Sequence, residues 1–218
     1  MVKALSGKDP EQTASLLNSI QDGPVKERLI TVQYSALAKI DSAKALAEVA
    51  ALPEGTRQKA YDSIAKVVGQ QGLQSVLAAA STLPEGQRAS FIATAMPEAA
   101  TENPQEAAAY LLDKATPIEA KARPDLVTKV ANKLASSDLQ YANEWMKQLP
   151  EAEQPDAMEG IAAKMVDNDI HGLSEMLGSM PKDRIWERGT RILIRSLRQS
   201  DPEMAKQWRE LMISAGYK

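Results

Sequence analysis

The chain has 218 residues, of which 44% are apolar and 25% are charged, a composition that is ordinary for a folded protein. Its net charge of −3 argues against a protein that coats nucleic acid over its whole surface, because such proteins are strongly basic. The absence of cysteine and the presence of one histidine, His171, exclude disulfides, thiolate metal sites, a cysteine nucleophile and any site that needs two imidazoles.

The residue usage favours helices. Alanine is abundant, phenylalanine occurs once, at Phe91, and there are few β-branched or aromatic runs. No apolar run approaches the roughly 20 residues that a membrane span needs. The first residues, MVKALSGKDP, lack the apolar region of a signal peptide. We therefore expect a soluble chain without a membrane span, either cytoplasmic or exported with its signal peptide removed.

The first repeated element is a turn, which reads ALPEGTRQK at 51–59 and TLPEGQRAS at 82–90. The backbone of a residue that precedes proline is pushed out of the helical region, so each of these turns is predicted to end a helix. A new helix is expected two or three residues after the turn, for example over 56–70. An aliphatic residue recurs at the end of the preceding segment all along the chain, at Ile20, Leu52, Leu83, Leu149, Met180 and Met212.

A second series of residues predicts helix starts with the same period. An Asp or Asn side chain accepts a hydrogen bond from the free N–H groups of the first helical turn, and a proline after it suits the first helical position. Near Gly72 the sequence GLQS replaces the acidic cap, so we expect a weaker helix start there. The capping segments are DPEQ at 9, DSAK at 41, NPQE at 103, DLQY at 138, DIHG at 169 and DPEM at 201.

Each repeat is therefore predicted to be a pair of helices, the first after the turn and the second from the cap to the next turn. Positions 4, 8 and 11 after the cap are mostly apolar and fall on one face of the second helix. The period stretches only where Pro117 and Pro124 predict a longer loop or irregularity near 115–125. We expect one all-α domain over 1–218, an α-solenoid of about six and a half antiparallel hairpins with a period of about 31–35 residues.

The pattern D-P-x-x-A-x-x-W-x-x-x-L/M occurs as DPEMAKQWRELM at 201–212 and more loosely as DLQYANEWMKQLP at 138–150. It resembles αα-repeats common in uncharacterised bacterial proteins, notably of verrucomicrobial and planctomycete type. The hairpins as a whole resemble the repeats of the tetratricopeptide and HEAT-like solenoid class. This resemblance implies a scaffold that binds other molecules, and it supplies no catalytic residues.

Several residues that carry chemistry elsewhere have a structural interpretation here. His171 follows a helix cap and is interpreted as a surface or capping residue. The acidic pairs, Glu151 with Glu153 and Glu98 with Glu102, stand where carboxylates favour the helix dipole. No glycine-rich phosphate loop is present, so no cofactor is expected. The tryptophans Trp145, Trp186 and Trp208 could form a platform for a peptide or sugar, but Trp145 and Trp208 occupy one repeat position that apolar residues fill elsewhere, which predicts packing between repeats.

The sharpest feature is a row of arginines near the end of the sequence. Its spacing of 4, 3, 4 and 3 residues places all members on one face of one helix, with Ile185, Ile192 and Leu193 on or near the other side. Residues 181–218 hold nine basic and five acidic residues, a net charge of +4. We name the following side chains the arginine row: Arg184, Arg188, Arg191, Arg195 and Arg198.

The arginine row has one structural and several functional interpretations. It is either a solvated face, with Glu187 paired to Arg191, or a surface for a partner, because a guanidinium fork suits carboxylates and phosphates. An acidic protein, the acidic part of this chain or of a second copy, and nucleic acid are all candidates. We expect a non-enzymatic scaffold that binds a protein or peptide; the alternatives are a nucleic-acid-binding repeat protein and the scaffold domain of a larger enzyme or envelope protein.

Overall fold

The computed structural model describes residues 20, 23–113, 118 and 120–218. These residues form twelve α-helices and no strand, so the prediction of an all-α fold is confirmed. The helices divide into two compact units, one ending at Asn103 and one starting at Pro104, with residue 118 assigned to the first. We describe each unit by itself, and the expected single domain over 1–218 stays a prediction.

In the first unit, residues 23–103 form five helices in which long and short members alternate. They are α1 (Pro24–Ile40), α2 (Ser42–Val49), α3 (Glu54–Gly69), α4 (Leu73–Ser81) and α5 (Glu85–Glu102). The long helices α1, α3 and α5 pack side by side, each on the next. The short helix α2 packs on α1 and α3, and α4 packs on α3 and α5. Successive hairpins of this unit are therefore stacked, as the repeat predicts.

The second unit repeats the arrangement with seven helices. They are α6 (Pro104–Leu112), α7 (Arg123–Ser137), α8 (Leu139–Gln148), α9 (Gln154–Asn168), α10 (Ile170–Ser179), α11 (Arg184–Ser200) and α12 (Pro202–Ser214). The long helices α7, α9 and α11 pack in sequence. The short helices α8 and α10 each bridge the two long helices that flank them in the chain, while α6 packs on α7 and α12 packs on α11.

Four of the predicted caps, all aspartates, form as expected. The Asp41 side chain accepts a hydrogen bond from the Lys44 N–H at 2.9 Å, and Asp138, Asp169 and Asp201 make the same bond three residues ahead. Gly72 precedes α4 with a φ of 94° and no side-chain cap, which agrees with the weaker start expected there. The DPEQ segment at 9 lies outside the described residues.

The starts of the helices after the LPEG turns correct the prediction. Helix α3 begins at Glu54 and α5 at Glu85, directly after the prolines, and not two or three residues later. Pro53 and Pro84 are the N-caps, with φ near −54° and ψ near 144°. The glycines of the motif therefore lie inside the first helical turn. The prediction failed because a proline that ends one helix also provides a suitable start for the next.

The irregularity expected near 115–125 is described only in part. Residues 114–117 and 119 lie outside the described residues. A turn over 120–122 leads into α7, which begins at Arg123. Pro124 stands in the first turn of that helix, where a missing N–H costs nothing. This proline therefore starts a helix and does not break one.

The core follows the predicted apolar positions of the short helices. Ala45 and Val49 of α2, Val76 of α4 and Leu173 and Leu177 of α10 are fully buried. Arg209, which interrupts the apolar series in α12, is exposed. Burial of this periodic apolar face supplies the main stabilisation of each unit.

The turn motif also contains a side-chain hydrogen bond that was not predicted from the sequence. The Arg57 Nε donates to the Leu52 carbonyl at 3.0 Å, and the Arg88 Nε donates to the Leu83 carbonyl at 2.9 Å. In the later turn LPEAEQ, the Gln154 amide makes the equivalent bond to the Leu149 carbonyl at 3.0 Å. These leucine carbonyls lie at or just beyond the helix ends, where no helical N–H reaches them, so the side chains satisfy them. This explains why an arginine follows both LPEG motifs.

Candidate binding surface on helix α11

Helix α11 carries the arginine row and is held firmly in place. Asp183 caps it by accepting hydrogen bonds from the Ile185 and Trp186 N–H groups at 2.9 and 3.0 Å. The indole of Trp186 is fully buried and donates to the Leu177 carbonyl at 3.1 Å. A rigid support of this kind fixes the positions from which the arginines project.

Helix α11 has one exposed, arginine-bearing face and one buried, apolar face. All five members of the arginine row are exposed. The opposite face buries Leu193, Ile194 and Leu197 in the second unit. Ile185 and Ile192, which we expected on or near the opposite side, are half-buried and so border the two faces. The predicted placement of the arginines on one face is therefore what the structure shows.

The middle of the row is engaged by carboxylates. The Arg188 guanidinium contacts Asp156 Oδ1 at 3.1 Å and Glu159 Oε2 at 2.7 Å, both on α9. Arg191 contacts Glu187 Oε1 at 2.6 Å, which is the pair expected from the sequence, and it also donates to the carbonyl oxygen of Lys218 at 2.6 Å. These two guanidiniums are thus partly neutralised within the chain.

The remaining members of the row are free for a partner. Arg184, Arg195 and Arg198 make no ion pair or side-chain hydrogen bond with any residue that the structure describes. They stand at the two ends of the helix, on either side of the engaged pair. These three exposed guanidiniums therefore leave a positive charge that no described carboxylate neutralises.

Acidic and basic residues are unevenly distributed along the second unit. Residues 104–180 hold seven basic and thirteen acidic residues, a net charge of −6, whereas 181–218 carry +4. The second unit therefore joins an acidic stretch to a basic terminal helix pair. The ion pairs of Arg188 with Asp156 and Glu159 join the acidic stretch to the basic helix pair.

The other candidate residues of the sequence are structural. Trp145 donates its indole N–H to the Ala108 carbonyl at 3.0 Å and is buried, and Trp208 is also buried, so the predicted role of the tryptophans in the interior is confirmed. Glu153 accepts a bond from the Arg123 Nε at 2.6 Å, while the same guanidinium donates to the Leu111 carbonyl at 2.7 Å. This acid thus ties two helix starts together.

His171 is exposed in the first turn of α10. Among the residues that the structure describes, no three His, Cys, Asp or Glu side chains are grouped so that they could hold a metal ion. In the same part of the chain, no helix combines the length and apolar character that crossing a membrane requires.

A groove in the first unit was not foreseen from the sequence. It lies between α3 and α5 and encloses a volume of about 380 Å³. Its walls include Glu54, Arg57, Tyr61, Asp62, Gly86 and Phe91. Burial raises the pKa of the Tyr61 hydroxyl, and the nearby Arg57 guanidinium partly opposes that shift. In the sequence, the groove is indicated only by the separation of Tyr61 and Phe91, which is thirty residues and so close to the length of one repeat.

Comparison of the chain with models of protein families, with curated proteins and with solved structures gives no match.

Proposed function

We propose that the protein is a non-enzymatic interaction module that binds an acidic segment of a partner protein on the arginine row of α11. The observation that supports this is the exposure of all five guanidiniums on one helix face, with Arg184, Arg195 and Arg198 free of carboxylates among the described residues. Arginine pairs with carboxylates through two parallel hydrogen bonds, which gives such a surface directional specificity.

The spacing of the row favours a helical partner. Arg184, Arg191 and Arg198 are seven residues apart, as are Arg188 and Arg195. The row extends over about 21 Å at the 1.5 Å rise of an α-helix. A helix that carries Glu or Asp at the same spacing would place its carboxylates opposite the guanidiniums. The half-buried Ile185 and Ile192 would meet apolar side chains at its edge.

Acidic protein is favoured over nucleic acid for a local reason. Asp156 and Glu159 stand beside Arg188 and would repel a phosphate backbone that followed the row. A partner with discrete acidic side chains can leave that point of the row vacant. The resemblance to the tetratricopeptide and HEAT-like class agrees with a binding scaffold, and membership of that class is part of this proposal. The alternative that the chain serves as the scaffold of a larger protein is also part of this proposal.

The test is a titration with a fluorescein-labelled helical peptide whose glutamates are spaced by 4, 3, 4 and 3 residues. We expect binding by the wild type and a loss of affinity of about fivefold in Arg195→Gln/Arg198→Gln, from two exposed ion pairs of about 0.5 kcal/mol each. These two arginines are chosen because they make no ion pair among the described residues, so their replacement leaves the fold intact.

The matched control is Lys206→Gln/Arg209→Gln, which removes the same charge from exposed positions of α12. It should change the affinity less than twofold. Equal weakening in both variants would mean that the peptide responds only to general charge, and the proposal would fail. It would also fail if a labelled single-stranded oligonucleotide bound more tightly than the peptide, with an affinity that fell steeply with salt.

A further inference from the structure

The groove between α3 and α5 has the composition of a binding site for a cationic group. Glu54 and Asp62 contribute two carboxylates to its wall, and Arg57 contributes the one guanidinium among the residues that line it. The Arg57 Nε is already committed to the Leu52 carbonyl at 3.0 Å. Among the described residues, Asp62 accepts one side-chain hydrogen bond, from the Gln58 amide at 2.8 Å to Oδ1, and its Oδ2 has no such partner.

Two aromatic rings complete the same groove. Tyr61 is half-buried and Phe91 is nearly fully buried, so both rings form walls of the groove and not mobile surface side chains. The face of an aromatic ring attracts ammonium and guanidinium groups. Two carboxylates and two aromatic side chains therefore line one groove, and both kinds of group can attract a basic side chain.

The glycines of the turn motif supply an independent observation. Gly86 lines the groove, and a Cβ built on it would meet no atom within 4 Å. Its φ is not positive, so neither sterics nor backbone conformation requires glycine there. Glycine in a helix is less favourable than alanine. Gly55, at the equivalent position of the other LPEG turn, is equally open, so the glycine belongs to the turn motif; at Gly86 it leaves open space beside the groove.

The geometry of the lining specifies the ligand further. Glu54 and Asp62 are eight residues apart on α3, or about 12 Å along its axis. An extended peptide advances about 3.3 Å per residue, so two basic side chains about four residues apart would reach both carboxylates. From this we infer that the groove between α3 and α5 binds an extended peptide segment with two basic side chains at that spacing. This site lies in the first unit and does not depend on the arginine row.

The experiment uses the full chain and the fluorescein-labelled peptide Gly-Arg-Ala-Ala-Ala-Arg-Gly, with its glutamine counterpart as the ligand control. We expect binding of the arginine peptide alone. Affinity should fall at least fivefold in Glu54→Gln/Asp62→Asn. The charge-matched control Glu85→Gln/Glu102→Gln should change it less than twofold, because Glu85 is the repeat equivalent of Glu54 and neither control residue lines the groove.

A second pair of variants tests the mouth of the groove without changing charge. Gly86→Leu should weaken binding at least fivefold, whereas Gly55→Leu, at the equivalent position of the preceding repeat, should not, since Gly55 does not line the groove. Both sites have open space for the added side chain, so both variants should fold. Equal effects of the two leucines, or equal effects of the two charge variants, would overturn the inference. So would equal binding of the glutamine peptide.

Discussion

Gly160 lies at a close contact between two long helices of the second unit, α7 and α9. A Cβ on this residue would overlap the Thr128 carbonyl oxygen and lie 2.9 Å from the Ala131 Cβ, both on α7. Two hydrogen bonds cross the same contact, from the Thr128 hydroxyl to the Asp156 carbonyl at 3.0 Å and from the Asn132 amide to the Gly160 carbonyl at 3.2 Å. The glycine therefore sets the spacing of α7 and α9.

Replacement of this glycine should separate the two helices. We expect Gly160→Ala to lower the free energy of unfolding by about 2 kcal/mol, because the backbone that it meets cannot rotate away. Urea denaturation followed by circular dichroism measures the change. The matched control is Gly178→Ala in α10, where a Cβ meets nothing within 4 Å and where alanine should stabilise by about 0.5 kcal/mol. A neutral effect at Gly160 would show that the helices shift without cost.

Single residues also show why part of the binding surface escaped prediction. The pairing of Arg191 with Glu187 follows from their separation by one helical turn and was expected. The contacts of Arg188 with Asp156 and Glu159 join residues about one repeat apart. Periodicity within a helix fixes which side chains share a face. The offset at which neighbouring helices stack depends on close contacts such as that of Gly160, which no local pattern reveals.

At the scale of the helix, the acidic caps are local and testable. Asp138 accepts the Tyr141 N–H at 2.9 Å and starts α8. We expect Asp138→Ala to destabilise the protein by about 1 kcal/mol, the usual cost of losing such a cap. Asp167→Ala is the control, since this exposed residue lies in the last turn of α9, where a negative charge is unfavourable. If the two variants lost equal stability in urea, capping by Asp138 would contribute nothing.

The helices show which features of the fold could be predicted from local sequence patterns. The caps at Asp41, Asp138, Asp169 and Asp201, the buried positions of the short helices and the amphipathic character of α11 depend on residues within about two turns, and these were predicted correctly. The start of α3 at Glu54 was misplaced because the LPEG turn has two roles, as the end of one helix and the N-cap of the next. The bond from Arg57 to the Leu52 carbonyl was missed because arginine has no strong capping preference in sequence statistics.

At the scale of the whole molecule, three tyrosines couple stability to alkaline pH. Burial raises the pKa values of Tyr34, Tyr61 and Tyr110 above the ordinary value of about 10. Glu48 adds to the rise at Tyr34 and Asp113 at Tyr110, because a nearby negative charge opposes tyrosinate formation. Each hydroxyl is therefore harder to ionise in the folded chain than in the unfolded one.

The sign of the pH effect follows from this difference. Below pH 10 both states hold the proton and the full stability is present; as pH rises through the raised pKa values, the unfolded chain loses protons first and stability falls. Urea midpoints measured across this range should decrease, and tyrosinate absorbance should rise later than in denaturant. Tyr34→Phe, which keeps the ring and removes the ionisation, should show a smaller decrease. Parallel decreases in the two proteins would assign the effect to other groups.

The stacking of hairpins within each unit has a kinetic consequence. Helices of each unit contact partners that are close in the chain, so the native contacts join residues separated by about one repeat or less. Loops of that size close at modest entropic cost, and proteins rich in local contacts fold within microseconds to milliseconds. In such a stack, nucleation can occur in any hairpin and spread to its neighbours. Each unit should therefore fold fast by several parallel routes.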